Sequence, residues 1–329
     1  TSIRCQRSSH LLFRVLTAKR IKKLAKDLGI PRIYAVVNKV REWVRRFSEE
    51  DKWNRQLYHI LCTLYEVQAR IEKKALHRLE ETGLVEEVAR AAQKIALQRL
   101  PLIAILGGLP EPLMDEEFLR RSMLEIMDAV EREGYSLEGA VASLREPVEK
   151  AVLSISQLVE ELLEGREDSI YAWAAAVSAD RDRVRALALW LIQPLLSALR
   201  VAASSELDWA REYWQQGLCP ICGSATRIGY MRGEGRKQFL RCQVCGMEWV
   251  FPRTRCPYCG ADSPGDVVFY KPLKSRQWLR LYRCRRCGAY WKIVDEEDEA
   301  AAKEGLPPRE LYDVYTFALD AIAETLPNP

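Results

Sequence analysis

Between residues 17 and 215 apolar side chains recur every three or four positions, the period of helices that each bury one stripe. Lys19 to Leu28, closed by Gly29 and Pro31, and Ile33 to Phe47 are the first two predicted segments. From Glu49 a long helix carries Trp53, Leu57, Leu61, Leu64, Val67 and Ile71 on one face and ends near Gly83, and the pattern resumes from Leu84 to Leu100. Pro101 to Pro112, with Gly107-Gly108 inside it, reads as a loop. Glu116 to Glu133 is helical, Ser136 reads as an N-cap, and Pro147 suits the first turn of the next helix. That helix carries the clearest stripe, Val148, Ala151, Val152, Ile155, Leu158, Val159 and Leu162, closed by Gly165. Ile170 to Val177 and Val184 to Val201 follow, with Pro194 as a kink. Stripes separated by breaks this short predict an all-helical domain over residues 1–216, not a coiled coil.

Beyond it the pattern changes to short alternating runs between cysteine pairs. Four Cys-x-x-Cys motifs, Cys219/Cys222, Cys242/Cys245, Cys256/Cys259 and Cys284/Cys287, are each followed at once by glycine. Two thiolates three positions apart can grip one ion only if the backbone turns tightly, and glycine permits that turn. The stretch is an internal duplication. Cys219-Pro-Ile-Cys-Gly matches Cys256-Pro-Tyr-Cys-Gly, and the segment Phe239 to Trp249 matches Leu281 to Trp291. A repeated unit should carry its own ion, so the first motif is expected to pair with the second and the third with the fourth. An interleaved pairing, first with third and second with fourth, is the alternative. Hairpins are expected from Arg227 to Met231 with Gln238 to Arg241, and from Val267 to Lys271 with Leu279 to Arg283. The modules are assigned to residues 217–254 and 255–295. Units this small cannot bury a sufficient core, and a structural four-cysteine site contributes on the order of 10–16 kcal/mol. Tetrahedral sulfur sites take zinc or iron, and two ions per chain are expected.

Disulfides fit the spacing less well than ligation, because the pairs have ligand spacing and no secretory leader is expected in the basic segment Thr1 to Lys23. Thioredoxin-type redox work needs the motif to open a helix after a strand, whereas these motifs lie between hairpin strands. The longest apolar run, Leu187 to Leu199, is interrupted by Gln193 and Pro194, so no membrane insertion is expected and the chain is expected to be cytoplasmic.

From Cys219 to Asp295 there are 15 Lys/Arg against 5 Asp/Glu. Two divalent ions, each held by four thiolates, absorb about four of the surplus positive charges, and the rest could face an acidic partner. Asp295 to Glu299 reads as an acidic linker and Arg309 to Leu326 as a last helix, within a final segment 296–329, expected to dock on the bundle or the modules. Three histidines, His10, His59 and His77, leave acid/base and hydrolase schemes without parts, and no phosphate loop is present, so no enzyme is expected. His59 and Cys62, one turn apart, read as core residues, and Cys5 and Cys62 as non-ligands. Tyr230, Phe239, Trp249, Tyr282 and Trp291 beside arginines invite an RNA- or DNA-binding zinc-ribbon reading. The plainer reading puts Trp249 and Trp291 in the small cores and uses Arg241 and Arg283 to neutralise thiolates.

The order of these motifs, from Trp214-Gln-Gln-Gly-Leu-Cys-Pro-Ile-Cys-Gly through Arg255-Cys-Pro-Tyr-Cys-Gly to Cys284-Arg-Arg-Cys-Gly-Ala-Tyr-Trp-Lys, resembles the formate dehydrogenase accessory protein family, FdhE. The specific match covers residues 219–292, with Ile192-Gln-Pro-Leu195 as a local similarity in the helical part. The resemblance implies two rubredoxin-like modules behind a helical domain, with iron often assigned to the sites. It also implies a cytoplasmic, non-catalytic role in maturing the molybdenum- or tungsten-dependent catalytic subunit of formate dehydrogenase. The residues it carries over are the eight cysteines of the four motifs.

Overall fold

A computed structural model of the chain describes residues 52–132, 139–272 and 276–326, with the backbone alone for 52–59 and 209–211. The segments expected at 19–28 and 33–47, and the Ser136 cap, lie outside the described residues. In chain order the helices are α1 Lys52–Glu81, α2 Val85–Gln98, α3 Leu102–Leu106, α4 Glu116–Arg132, α5 Ala140–Glu149, α6 Ile155–Leu163, α7 Asp168–Ala176, α8 Arg181–Ala202 and α9 Asp208–Tyr213. Six strands follow: β1 Ile228–Arg232, β2 Lys237–Arg241, β3 Glu248–Val250, β4 Val267–Tyr270, β5 Leu279–Cys284 and β6 Tyr290–Asp295. The chain closes with α10 Glu299–Glu304, α11 Tyr312–Tyr315 and α12 Phe317–Thr325. The fold is thus a helical N-terminal region, a sheet region and C-terminal helices.

Two units divide the chain: one comprises residues up to Leu84 with Gly108–Ala198, the other Val85–Gly107 with the residues from Leu199 on. In the first, α1 and α4 lie side by side. Leu64, Val67, Ile71, Ala75 and Leu79 are buried on α1, as are Leu119, Met123, Ile126, Met127 and Val130 on α4, the stripes that the sequence period marks. The Glu116 carboxylate, in the first turn of α4, accepts from the backbone N–H groups of Ile155 (2.8 Å) and Ser156 (2.9 Å), which lie at the free N-terminus of α6. Helix α8 is long and apolar enough to cross a membrane by length and composition, yet Val184, Leu187, Ala188, Leu191, Ile192, Leu195 and Leu199 are buried within the protein, as in a core helix.

The stripe from Val148 to Leu162 is not one helix. Pro147 lies inside α5, which ends at Glu149, and Ser154 caps a new helix by accepting the Gln157 N–H at 3.3 Å. Ala151 takes a left-handed φ of 54° in the break and Val152 is 70% exposed, so the stripe's middle is not core. Pro101 to Pro112 is likewise not a plain loop, because it contains α3 and a turn of 3-10 helix, Glu111–Leu113.

In the second unit both hairpins form as expected, but β3 and β6 extend them into one six-stranded sheet of order β3-β2-β1-β6-β5-β4. The halves join through β1 and β6, which run parallel with Ile228 opposite Lys292 and Met231 opposite Asp295, whereas every other pairing is antiparallel. Asp295 is no linker residue. It ends β6 fully buried, with its carboxylate held by Arg236 and Arg280. Arg309 to Leu326 is a 3-10 turn, Arg309–Leu311, followed by α11 and α12, and it docks on the sheet: the Lys292 ammonium reaches Asp313 and Asp320, and Arg309 lies 3.7 Å above the Tyr230 ring.

Candidate metal centres

Each Cys-x-x-Cys motif closes by the same two backbone hydrogen bonds. The glycine N–H donates to the carbonyl of the first cysteine, at 2.9, 3.1, 3.0 and 3.0 Å for Gly223, Gly246, Gly260 and Gly288. The N–H of that cysteine donates five residues on, to Ser224, Met247, Ala261 and Ala289, at 2.8–3.0 Å. The four glycines have φ of 72–73°, a left-handed conformation that costs an L side chain about 1–2 kcal/mol. Inside the turns, N–H groups of Ile221, Cys245, Tyr258 and Arg286 donate to cysteine sulfurs at 3.4–3.5 Å.

These turns bring the eight cysteines into two groups of four, Cys219/Cys222/Cys242/Cys245 and Cys256/Cys259/Cys284/Cys287, each with all sulfurs within 4.8 Å of one another. The first motif therefore meets the second and the third meets the fourth; the interleaved pairing does not occur. Sulfur separations are 3.4 Å for Cys219–Cys245, 3.5 Å for Cys222–Cys242, 3.7 Å for Cys256–Cys287 and 3.6 Å for Cys259–Cys284. A disulfide requires about 2.05 Å. A tetrahedron with metal–sulfur bonds of about 2.3 Å has edges of about 3.8 Å, close to the spacing found, so each group could hold a zinc or iron ion.

The two groups differ in setting. Cys219, Cys242 and Cys245 are buried and Cys222 half-buried, whereas Cys259 and Cys287 are exposed. Burial pushes the Cys219 and Cys245 thiols well up, while Cys222, accepting first from Cys219, is drawn well down. Four thiols packed this closely, three of them buried, can all ionise only against a cation. In the second group the Ala261 N–H, with the neighbouring thiols, brings Cys259 down to about 7.

Neighbours missed in the sequence enclose the first group. The N–H groups of Leu102 and Ile103 donate to the carbonyls of Pro220 (2.8 Å) and Ile221 (2.9 Å), inside the first motif. Arg200 donates from Nε to the Cys245 carbonyl at 2.7 Å. The Trp249 indole donates to the Gln216 carbonyl at 2.9 Å. The modules also touch directly, since the Tyr258 hydroxyl, pushed up to about 12 by burial, donates to the Thr226 carbonyl at 2.9 Å. Only Pro101 could have flagged the α3 contacts, and proline marks many turns.

Trp249 and Trp291 are fully buried, and Tyr230 and Tyr282 nearly so, which removes them as stacking platforms for bases. Arg241 bonds Glu248, Glu310 and the Gly246 carbonyl, and Arg283 the Leu326 carbonyl. His77 is exposed beside Glu80 and Glu81, Cys62 is buried, and Cys5, His10 and the His59 side chain lie outside the described residues.

No family model matches the chain. Curated proteins do. An FdhE homolog of Aquifex aeolicus is 29% identical over 147 residues, covering 44% of this chain and 48% of that protein. Homologs from Pseudomonas aeruginosa (31% over 198 residues, 54% and 62%) and Stutzerimonas stutzeri (29% over 219 residues, 64% and 68%) match more of the length. The matched segments thus span about half to two thirds of these relatives. The crystal structure of the FdhE protein from Pseudomonas aeruginosa aligns with a TM-score of 0.49 at 17% identity, covering 88% of this chain and 89% of the other.

Proposed function

We propose that this chain, similar as it is to FdhE proteins, is a non-catalytic accessory protein that binds the catalytic subunit of a molybdenum- or tungsten-dependent formate dehydrogenase in the cytoplasm while that enzyme is assembled. The observation that carries the reading is the pairing of four motifs, in the order the family resemblance requires, into two four-sulfur groups on one sheet. Cys219, Cys222, Cys242 and Cys245 would hold one zinc or iron ion, and Cys256, Cys259, Cys284 and Cys287 the other. Each ion would supply a cross-link between motifs distant in sequence. The residues themselves do the rest: the glycine turns aim N–H groups at sulfur, and the sheet fixes the spacing of the motifs.

Among the described residues nothing resembles a catalytic constellation, since the one histidine with a described side chain is a surface residue flanked by glutamates. Of the five aromatic residues that the nucleic-acid reading would use, Tyr230, Trp249, Tyr282 and Trp291 are buried and Phe239 is half-buried, which weighs against it. The test is co-purification of the metal-loaded chain with a formate dehydrogenase catalytic subunit under reducing conditions. Stable association is expected. No association, together with tight and salt-sensitive affinity for RNA or DNA, would reverse the assignment.

A further inference from the structure

The duplicated sequence suggests two equal sites, but their surroundings are unequal. Around the first group, the backbone of α3 grips one motif through Leu102 and Ile103, and Arg200 grips the other through the Cys245 carbonyl. The faces of the turns are covered as well: a Cβ on Gly223 would meet the Pro101 ring at 3.3 Å, and one on Gly246 would meet Arg241 at 3.6 Å and Arg200 at 4.0 Å. Around the second group the third motif's turn is bare. A Cβ on Gly260 would meet nothing within 4 Å. Tyr258, Cys259, Gly260, Arg285, Arg286 and Cys287 are all exposed.

We infer that the second site is the exchangeable one: its ion leaves, and is replaced, through the edge formed by Cys259 and Cys287, while the first site keeps its ion. This rests on the reading that both groups hold ions. A competing ligand must displace thiolates one at a time, and it can reach a sulfur only where solvent does. At the second site two of four sulfurs, one from each motif, meet that condition. At the first site an attacking ligand finds only the half-buried Cys222. Opening either motif further breaks hydrogen bonds from Leu102, Ile103 or Arg200, whereas the bonds that tie the second site's motifs, Tyr258 to the Thr226 carbonyl and the Arg285 N–H to the Asp266 carbonyl, leave Cys259 and Cys287 exposed. Each such bond is worth a few-fold to about tenfold in an equilibrium, so release rates should differ by on the order of tenfold or more. The exposed site also carries two unburied arginines, Arg285 and Arg286, which draw anionic chelators or an acidic protein ligand toward the exit edge.

The experiment loads the full chain with zinc alone, adds excess chromogenic chelator, and follows release while iodoacetamide labels freed thiols for peptide mapping. Two phases of one zinc per chain each are expected, with Cys259 and Cys287 labelled in the fast phase and Cys219, Cys242 and Cys245 only in the slow one. The variant Arg200→Ala should quicken the slow phase several-fold and leave the fast one unchanged. Two zinc ions leaving in a single phase, or the first group being labelled first, would overturn the inference and leave the metal reading standing. A chain that takes up no zinc would overturn both.

Discussion

The ammonium of Lys292, 1% exposed in the middle of β6, lies 2.6 Å from the Asp320 carboxylate on α12 and 2.7 Å from that of Asp313 on α11. It is one of the bonds by which the last helices hold the sheet, and it lies at the seam between its two halves. A lysine removed from water this completely is stable only while its partners stay in place. The carboxylates keep partial solvent contact, at 44% for Asp313 and 26% for Asp320, so they can rehydrate when the lysine is lost. Lys292→Ala is therefore expected to cost about 2–4 kcal/mol in urea unfolding of the metal-loaded chain. Lys292→Met, which keeps the packing of the stem, should cost less.

Gly217 passes so close to the third motif that a Cβ there would sit 1.6 Å from the Pro257 carbonyl oxygen. Both sides of that contact are backbone, so no side chain can swing away to relieve it. Gly217→Ala should destabilise the sheet unit by about 1–3 kcal/mol or more, read as a lower urea midpoint. An unchanged midpoint would show that the modules are not held at this distance.

Stripping metal should unfold the sheet unit. With Trp249 and Trp291 fully buried, loss of the ions is expected to shift tryptophan emission to the red, while the far-ultraviolet helical signal largely persists. Readdition of zinc under reducing conditions should reverse the shift.

Acid should weaken the helical region through Glu116. Burial alone would raise this carboxyl, but the N–H groups of Ile155 and Ser156 outweigh it and hold the group below its usual 4.5. Its folded value lies below its unfolded one, so the stability it contributes is present above the unfolded value and is lost as pH falls through the folded one. Thermal unfolding of the parent should drop more steeply than that of Glu116→Gln as pH is lowered from about 6 to about 3. Parallel curves would contradict the role of Glu116 at the start of α6.

The sequence revealed what is local and repeated. The duplication announces the pairing of the motifs, because each copy contains its own hairpin and both halves of its own ligand set. The parallel pairing of β1 with β6 was hidden: it joins residues more than sixty positions apart, and nothing in either strand's alternation names a partner. Helical periodicity located α1 and α4 but ran straight through the break at Ala151, since a stripe that reappears in register after a short turn looks continuous. Charge misled at Asp295, where the run of acidic residues reads as solvated while the strand buries its first member against Arg236 and Arg280. The cover over the first sulfur group was equally hidden, because Leu102 and Ile103 contribute backbone N–H groups and no side-chain chemistry.

Whether the last third of the chain is built on two sulfur-bound ions is measured most directly by native mass spectrometry of the full chain purified under reducing conditions. The expected mass is that of the polypeptide plus two metal ions, with one ion lost when Cys219 and Cys222 are both replaced by serine and one lost when Cys256 and Cys259 are. A mass matching the bare chain, or one lowered by the hydrogens that disulfide formation removes, would contradict it.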